Sequence, residues 1–383
     1  MKRSYIAKRF QSSAAGLSLD TEALAKYKDI IDLSIGDTDF TTDESIINAA
    51  FRDAKAGHTH YGDPKGDPEL IDAVCRAWEE DFGQRLPRDH VLVSASSCLG
   101  MALVMLAILD PGDEVIVFSP YFPMYREQIE LAGGVCVDVP TYASEDYAID
   151  EARLRAAITP RTKAIVFNNP TNPTGMGYDG KTLELLARVA QEHDLLIAAD
   201  EIYTTYLYEG DFRPIRTLPG MAERTITLNS FSKNFLMTGW RVGVIIAEPE
   251  LLAVMNRVNG SLIYSAPSIS QRAAIQALAM RKEIREKYVT AYRDRIFYAA
   301  DRIEKLPYLS LVRPKGTFYL FPGVEKTGLD EKAFCKVLLD QAHVLVSPGT
   351  PFGVSAAGHF RIACTVGIDQ LKTAFDRMEK LSF

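Results

Sequence analysis

The chain has 383 residues, with 47% hydrophobic and 24% charged residues, which are ordinary values for a globular protein with room for two subdomains. Its formal net charge of −7 disfavours a nucleic-acid or anionic-membrane partner. The sequence has five cysteines and no Cys-x-x-Cys spacing, which predicts reduced thiols. Its basic N-terminus is not followed by an apolar segment, and no stretch has membrane-spanning length. We therefore expect a cytoplasmic protein.

The first half of the chain predicts an α/β domain. A polar helix over residues 17–29, an extended segment over 30–36 and a helix over 45–56 precede a Gly/Pro-rich loop at 61–68 and a helix over 69–81. Seven apolar runs then read as strands, at residues 91–93, 114–118, 135–139, 164–167, 195–199, 225–228 and 242–247. Helical patterns separate most of these runs, at residues 98–109, 124–131, 151–157, 183–193 and 250–256. This alternation predicts a mostly parallel seven-stranded sheet flanked by helices.

The pattern changes near residue 268, where long charged helices run to residue 305. Short strands follow near 309–312 and 317–321, then a helix over 330–341, a strand over 344–347 and a final helix. This order predicts a smaller α+β domain, which we expect the N-terminal segment to join. We therefore assign residues 44–270 to the large domain, and residues 1–43 and 271–383 to the small one.

One segment matches the P-loop pattern of nucleotide-binding proteins, Gly175-Met176-Gly177-Tyr178-Asp179-Gly180-Lys181-Thr182. It follows a predicted strand and precedes a predicted helix. A P-loop, however, uses backbone N–H groups directly after the strand to hold phosphate. Here seven residues intervene, and two of them, Pro170 and Pro173, have no N–H group. These prolines argue against a P-loop NTPase, which stays as an alternative from a different class.

A second pattern combines Ser230-x-x-Lys233 with Lys326-Thr327-Gly328, as in the penicillin-recognising serine hydrolases. Those enzymes work outside the cytoplasm, and this sequence predicts no export signal. It also has no clear Ser-Asp-Asn segment. The serine-hydrolase interpretation is therefore disfavoured.

A third set of residues fits one chemistry, an aldehyde cofactor that acts as an electron sink and is held by a lysine. Lys233 lies in a loop between the apolar runs at 225–228 and 242–247, where open α/β sheets bind ligands. Asp200 follows the apolar run at 195–199, so its carboxylate is expected at the end of a strand, where a pyridinium N–H would be a suitable partner. Tyr203 and Asn172 could donate hydrogen bonds to an oxygen on the cofactor ring, and Phe122 could cover its face.

A phosphate site is predicted beside these residues. Ser96, Ser97 and Cys98 lead into a predicted helix, whose first N–H groups can bind an anion. Ser230 and Arg241 flank Lys233 and could add a hydroxyl and a guanidinium to the same phosphate. Taken singly, such residues have ordinary structural roles, as a helix cap for Asp200, a core residue for Phe122 or a surface ion pair for Arg241. Their combination favours a single cofactor site.

With these residues in place, the sequence resembles the fold-type I, pyridoxal-phosphate-dependent class I/II aminotransferases, the aspartate aminotransferase-like family. The resemblance runs from residues 35–40 to 360–363. Its most specific segments are Asn168-Asn169-Pro170-Thr171-Asn172-Pro173-Thr174-Gly175, Asp200-Glu201-Ile202-Tyr203 and Ser230-Phe231-Ser232-Lys233-x5-Gly239-Trp240-Arg241. It implies the two-domain fold of that family and pyridoxal 5′-phosphate as the cofactor, with no metal.

The resemblance also implies roles for individual residues. Lys233 would form the Schiff base with the cofactor, and Asp200 would pair with the pyridine nitrogen. Asn172 and Tyr203 would contact the ring oxygen. The residues implied for phosphate and for stacking are Ser96, Ser97, Cys98, Ser230, Arg241 and Phe122.

Three further residues enter through the resemblance alone. Tyr61 resembles a tyrosine that reaches phosphate across a dimer interface, so a homodimer is expected. Arg361 matches the arginine that binds the substrate α-carboxylate, beside the Gly36 backbone and Asn172; a structural ion pair is the other interpretation of Arg361.

The chain departs from the family pattern at two positions. Ser96 stands where the family often has glycine, and Phe122 stands where the aspartate-specific branch commonly has tryptophan. No residue clearly matches the arginine with which that branch binds a side-chain carboxylate. The departures leave the cofactor chemistry intact and put specificity for acidic substrates in doubt.

The expected function is transfer of an amino group between an L-amino acid and a 2-oxo acid, by a ping-pong mechanism in which Lys233 is general base and acid. The alternative with the same cofactor is a C–S β-lyase. The identity of the amino donor and acceptor is not predicted.

Overall fold

A seven-stranded β-sheet organises the computed structural model, which describes residues 5–7, 10 and 26–383. The strands, numbered along the chain, are β1 (Ile31–Asp32), β2 (Val91–Ser94), β3 (Glu114–Ser119), β4 (Val135–Pro140), β5 (Thr162–Asn168), β6 (Leu196–Asp200), β7 (Thr225–Ser230), β8 (Gly243–Ile246), β9 (Tyr319–Leu320), β10 (Val344–Leu345), β11 (Ser347–Pro348) and β12 (Phe360–Ala363). The large sheet has the order β2-β8-β7-β6-β5-β3-β4. Strands β3 to β7 pair in parallel, and β8 is antiparallel to both of its neighbours. The predicted mostly parallel seven-stranded sheet is confirmed.

Helices cover both faces of this sheet. Numbered along the described chain, the helices are α1 (Glu44–Lys55), α2 (Pro68–Phe82), α3 (Ser96–Ile108), α4 (Met124–Leu131), α5 (Glu151–Ala156), α6 (Gly180–Glu192), α7 (Phe231–Asn234), α8 (Pro249–Leu262), α9 (Ser268–Ala279), α10 (Arg281–Ile284), α11 (Thr290–Glu304), α12 (Glu331–Val337) and α13 (Ile368–Met378). The last three pack on other sheets. An aspartate caps several of their N-termini through its carboxylate, at positions Asp43, Asp67, Asp150, Asp179 and Asp330. None of the described helices is both long and apolar enough to cross a membrane.

The central strand β5 shows why the predicted strands are almost wholly apolar. Ala164 and Val166 pack on one face of the sheet with α3 and α8, whereas Ile165 and Phe167 pack on the other face with α6. Successive side chains of a strand point to opposite faces, and both faces are buried here. The helices thus form two apolar layers around one sheet.

A second region is built from residues at both ends of the described chain. Strand β1 pairs in parallel with β10, and a three-stranded sheet has the order β11-β12-β9. The Leu33 N–H donates to the Leu345 carbonyl at 2.8 Å, and the Ala363 N–H donates to the Leu33 carbonyl at 2.8 Å. Helices α11, α12 and α13 cover these sheets with their apolar faces. The N-terminal segment therefore packs against the C-terminal part of the chain.

Some predicted elements differ from the structure. The strand predicted at 309–312 is wrong, because Ser310 forms only an isolated bridge with Gly323. The strand predicted at 344–347 divides into β10 and β11, which belong to different sheets. The long charged helices predicted over 268–305 are present as α9, α10 and α11, with a π-helical turn at Arg285–Val289 between the last two. Of the helix predicted over 17–29, residues 17–25 lie outside the described chain.

Candidate active site

The candidate site lies where three parallel strands end at one edge of the large sheet. Asn168 ends β5, Asp200 ends β6 and Ser230 ends β7. The Asn168 side chain donates to the Asp200 carbonyl at 2.9 Å and so ties two of these ends together. Helix α7 begins directly after Ser230 and carries Lys233. The carboxyl ends of parallel strands are the usual ligand site in open α/β sheets, as the sequence predicts here.

Asp200 is a buried carboxylate with only one side-chain partner. It is 6% exposed, and its Oδ2 accepts a short hydrogen bond from the Tyr125 hydroxyl. Its Oδ1 has no hydrogen-bond partner. Burial raises the pKa of Asp200 to about 6, although the Tyr125 hydroxyl and the nearby Ile202 backbone lower it. A ligand that presents a cationic N–H to Oδ1 would stabilise the charged form.

Lys233 points towards the N-terminal part of the chain. Its Nζ donates a short hydrogen bond to the Gly36 carbonyl, and the ammonium lies 5.8 Å from the centre of the Phe318 ring. A Cβ atom added to Gly36 would lie 1.8 Å from the Tyr319 hydroxyl oxygen, so only glycine fits this position. The absence of a side chain lets the Gly36 backbone lie against Tyr319 while its carbonyl accepts from Lys233.

Residues 33–42 form a strap that connects the two sheet regions across the site. Before Gly36, the Leu33 backbone is hydrogen-bonded to β10 and β12. After Gly36, the Asp39 carboxylate accepts a hydrogen bond from each Nη group of Arg295 in α11, at 2.7 and 2.9 Å. The Thr42 hydroxyl then donates to the Leu236 carbonyl at 2.7 Å, three residues beyond Lys233. These anchors on both sides limit the movement of the Gly36 carbonyl.

Arg361 is a buried cation without a carboxylate partner. It is 4% exposed, its Nη1 donates to Asn172 Oδ1 at 3.0 Å, and its Nη2 donates to the Ser34 carbonyl at 2.6 Å. The guanidinium lies 4.7 Å from the Tyr319 ring centre and 4.9 Å from that of Phe352, and its Nε has no partner. Burial lowers the pKa of Arg361. No carboxylate of the described residues forms an ion pair with Arg361, so a structural ion pair does not explain its burial.

Tyr203 and Asn172 lie beside these charged groups. The Tyr203 hydroxyl donates to the Tyr319 hydroxyl at 3.2 Å, and burial raises its pKa well above the ordinary value, so it remains a donor. The Asn172 N–H donates to Asn168 Oδ1 at 2.8 Å, which places its side chain above the end of β5. Because Asn172 Oδ1 accepts from Arg361, its amide NH2 group can donate to a ligand.

The N-terminus of α3 has the features of an anion site. The residue before the helix, Ala95, has no side chain that could cap it, and the Ser96 hydroxyl accepts the Leu99 N–H at 3.4 Å. The Ser97 hydroxyl oxygen is buried without a partner. The first N–H groups of a helix have no acceptor within the helix, so those near Ser97 and Cys98 can bind an anion. Ser96 has φ of 83°, a left-handed conformation that glycine adopts more easily. That strain explains why glycine would suit this position.

Ser230 and Arg241 meet at Ser232, a residue that the sequence reasoning did not single out. The Ser230 hydroxyl accepts the Ser232 N–H at 3.0 Å. Arg241 Nη1 donates to the Ser232 hydroxyl at 3.5 Å and to the Thr238 carbonyl at 2.8 Å. Ser232 is buried beside an exposed Arg241 guanidinium. Its position one residue before the lysine was a signal in the sequence.

Phe122 and Tyr61 occupy different surroundings. Phe122 is half-buried, and its ring contacts Tyr125 edge-on at 5.7 Å between centres, close to Asp200. Tyr61 stands apart from the other predicted residues, because its ring is 87% exposed and contacts Tyr264 at 5.0 Å. Within one chain, therefore, the structure brings together the predicted site residues around Lys233 but not Tyr61.

Two competing motifs lack the geometry of their families. In the P-loop-like segment, the Gly175 N–H donates to the Thr171 carbonyl at 3.0 Å, and Lys181 is exposed on the first turn of α6. In the hydrolase-like pattern, Lys326 is exposed, and Ser230 is committed to the N-terminus of α7. Among the residues that the structure describes, no cluster of three or more His, Cys, Asp or Glu side chains could hold a metal ion.

Comparison with known proteins identifies a family. The family described as aminotransferase class I and II matches residues 28–378. The chain is 39% identical to an aspartate/prephenate aminotransferase of Thermus thermophilus, over 92% of this chain and 91% of that protein. It is 36% identical to an aspartate aminotransferase of Pyrococcus abyssi, over 93% of this chain and 92% of that protein.

Solved structures agree with these sequence matches. An aspartate aminotransferase from Thermus thermophilus with maleate superposes with a TM-score of 0.92 at 35% identity, over 99% of this chain and all of that one. An aromatic aminotransferase from Pyrococcus horikoshii gives a TM-score of 0.90 at 34% identity, over 94% of this chain and 97% of that one. These comparisons give no support to the β-lyase or nucleotide-binding alternatives.

Proposed function

The chain belongs to the class I and II aminotransferase family and is a pyridoxal-phosphate-dependent aminotransferase, and we propose that Lys233, Asp200 and Tyr203 carry its chemistry. When bound, pyridoxal phosphate supplies an aldehyde that condenses with amines and a ring that accepts negative charge. The observation that carries the proposal is a pair of buried, uncompensated charges in one site. Among the described residues, Asp200 Oδ1 has no hydrogen-bond partner and Arg361 has no counter-anion.

Lys233 would hold the aldehyde covalently and, once released by the incoming amine, move a proton at Nζ. A free amine at this position can take the proton from the substrate Cα as general base and return it as general acid. The Gly36 carbonyl accepts from Lys233 Nζ and so orients it. The anchored strap supports a fixed position for this carbonyl, which proton transfer requires.

The ring of the cofactor fits the residues at the ends of β5 and β6. Asp200 Oδ1 would accept the pyridine N–H and keep it protonated, because the buried carboxylate has no other cation. Tyr203 and Asn172 would donate to the ring oxygen, and Phe122 would lie against the ring face. The unpartnered oxygen of Asp200 is the feature that this fit explains.

The phosphate fits the N-terminus of α3 and the residues around Lys233. The backbone at Ser96, Ser97 and Cys98 offers N–H groups, and the orphaned Ser97 hydroxyl offers a further donor. Ser230 and Arg241 would add a hydroxyl and a guanidinium from the other side, and we add Ser232 to this set because it contacts both. The N-terminus of α3, the hydroxyls near Lys233 and the Arg241 cation would thus bind the same anion.

Arg361 would bind the substrate α-carboxylate, with the Gly36 backbone and Asn172 beside it. A buried guanidinium can form a bidentate pair with a carboxylate, and the surrounding Tyr319 and Phe352 rings exclude water from it. The same contact would serve amino acid and 2-oxo acid, because both carry this carboxylate. Arg361 therefore suits both halves of a ping-pong reaction.

For Arg361→Ala we expect kcat/KM to fall about 10²- to 10³-fold for amino-acid substrates, since the variant leaves a desolvated carboxylate unpaired. Steady-state kinetics with a series of amino donors measures the change. Arg313→Ala is the matched control, because Arg313 pairs on the surface with Asp301 and Glu304 and should leave kcat/KM unchanged. An unaltered kcat/KM in Arg361→Ala would refute its role.

We also propose that residues 44–270 form the large domain and that residues 1–43 and 271–383 form the small one. We further propose a cytoplasmic homodimer, in which Tyr61 of the partner subunit completes the phosphate site. Exposed apolar side chains next to Tyr61 support an interface, namely Leu262, Ile263 and Tyr264. Such a cluster on the surface of a monomer would be costly in water. A second copy is the partner that would place Tyr61 near a phosphate.

Mixing two defective variants tests this arrangement. Lys233→Ala and Tyr61→Ala homodimers should each have low activity. If Tyr61 acts across the interface, a mixed dimer contains one site with both intact residues, so subunit exchange at equal amounts should restore about a quarter of the wild-type activity. No recovery, although native mass spectrometry shows mixed dimers, would contradict the sharing of the site.

A further inference from the structure

We infer that Tyr125 is a positioning residue for transamination, whose hydroxyl fixes the Asp200 carboxylate so that Oδ1 faces the nitrogen of the cofactor. The inference rests on the proposed role of Asp200. The sequence reasoning assigned no role to Tyr125, which lies 75 residues before Asp200. Its contribution would be made through Asp200 and not through contact with the substrate.

When Asp200 is ionised, the contact between the two side chains has one direction. An ionised carboxylate can only accept, so the Tyr125 hydroxyl donates to Asp200 Oδ2. Burial and the neighbouring Asp200 carboxylate raise the pKa of Tyr125 well above its ordinary value, which keeps the proton on the phenol. With Oδ2 occupied and no partner on Oδ1, the carboxylate has one oxygen left for a ligand.

Helix α4 places Tyr125 within a row of residues that face the site. Phe122 precedes the helix, and Tyr125 and Gln128 follow at intervals of three, which puts them on one face. Gln128 Nε2 donates to the Cys98 carbonyl at 2.8 Å, in the first turn of α3. The row therefore contacts three parts of the proposed cofactor site, namely the ring face through Phe122, the nitrogen partner through Tyr125 and the phosphate end through Gln128.

Removing the hydroxyl has a consequence that loss of packing would not produce. The hydrogen bond from Tyr125 stabilises the charged form of Asp200 against desolvation. Without it, the pKa of Asp200 rises further, and a larger share of the side chain is a neutral acid at working pH. A neutral acid cannot compensate the positive charge of a pyridinium, so the effect should concentrate on the cofactor nitrogen.

The test is Tyr125→Phe, which keeps the ring and its edge-on contact with Phe122. In the enzyme loaded with pyridoxal phosphate we expect kcat to fall about 10- to 100-fold, with KM for the amino acid changing less than about threefold, because Arg361 is untouched. The Kd of the cofactor-free protein for pyridoxal phosphate, from fluorescence titration, should rise about tenfold.

A second readout uses the cofactor-free protein alone. In wild type the folded pKa of Asp200 of about 6 exceeds its unfolded value of 3.8, so this group lowers stability as pH rises between these values. In Tyr125→Phe the folded pKa is higher, so the fall continues above pH 6. Urea unfolding at pH 5 to 8 should therefore show a gap between wild type and variant that widens above pH 6.

Tyr308→Phe is the matched control, because the buried Tyr308 hydroxyl donates to the Met378 carbonyl at 2.6 Å, remote from the large sheet. It should lose stability by a constant amount across pH, with kcat and Kd unchanged. Asp200→Asn separates the two levels of the argument. If Asp200→Asn loses activity while Tyr125→Phe behaves like Tyr308→Phe, the inference is wrong and the proposed function stands. If Asp200→Asn keeps wild-type activity, the proposed role of Asp200 fails, and the role of Tyr125 fails with it.

Discussion

Lys233→Ala should abolish transamination, with kcat falling by about 10⁴-fold or more. The variant loses the amine that would hold the aldehyde and also the only group proposed to move the Cα proton. Hydroxyl groups of the site, such as those of Tyr203 and Ser232, are not bases at neutral pH, because a tyrosine or serine proton is held too tightly. Single-turnover kinetics with an amino acid would measure the loss.

The fold should survive this substitution. The Lys233 carbonyl, which accepts the Tyr206 hydroxyl at 2.9 Å, is retained in alanine. Lys181→Ala provides a matched control, since this lysine belongs to the P-loop-like segment, is exposed and should be dispensable. Circular dichroism checks that the Lys233→Ala variant is folded like wild type. If the folded variant kept substantial transamination, the proposed mechanism would be wrong.

The second large effect is expected for Asp200→Asn, in which kcat should fall about 10²- to 10³-fold because a buried positive nitrogen would lose its counter-charge. Asparagine has nearly the same shape, and its carbonyl oxygen can still accept from Tyr125, so packing at the end of β6 is preserved. The loss should appear in kcat more than in KM for the amino acid, since the α-carboxylate is bound by Arg361.

Asp194→Asn is the corresponding control. Asp194 lies just before β6, its side chain is 95% exposed, and it pairs only with Arg224 among the described residues. This variant should have wild-type kinetics. If Asp200→Asn were as active as Asp194→Asn, the pyridine nitrogen of the cofactor would not need the Asp200 carboxylate for catalysis.

The large sheet could be predicted because its strands are buried on both faces and therefore apolar throughout, as in β5. The residues at the strand ends, Asp200 and Ser230, could also be predicted, since each directly follows such a run or lies close to its end. The motif around Lys233 has fixed spacing, so local sequence was sufficient. The strands, their last residues and the motif around Lys233 could be predicted because each depends on residues close together in the sequence.

Other features depend on residues that are far apart in sequence. Nothing in the sequence near Tyr125 indicates Asp200, and nothing near Gly36 indicates that its carbonyl accepts from Lys233, 197 residues later. The absence of a carboxylate beside Arg361 is visible only after folding. The incorrect strand at 309–312 has the same origin, since its apolar residues pack against helices in place of a neighbouring strand.

The strap at residues 33–42 shows how such distant contacts would act together in catalysis. Its Ser34 and Gly36 carbonyls accept from Arg361 and Lys233, which are proposed to bind the substrate and to move its proton. Asp39 anchors the same segment to α11, and Thr42 anchors it to the residues that follow α7. Arg361 and Lys233 are therefore both hydrogen-bonded to one anchored segment. The distance between carboxylate site and base is therefore set by this strap.

The first measurement is the visible absorption spectrum of the protein with the cofactor, before and after a pool of amino acids is added. If Lys233 carries pyridoxal phosphate and the protein transfers amino groups, we expect a yellow band that disappears with the amino acids while 2-oxo acid forms. Omission of single amino acids then identifies the donor. A protein that stays colourless with added pyridoxal phosphate would contradict the role of Lys233.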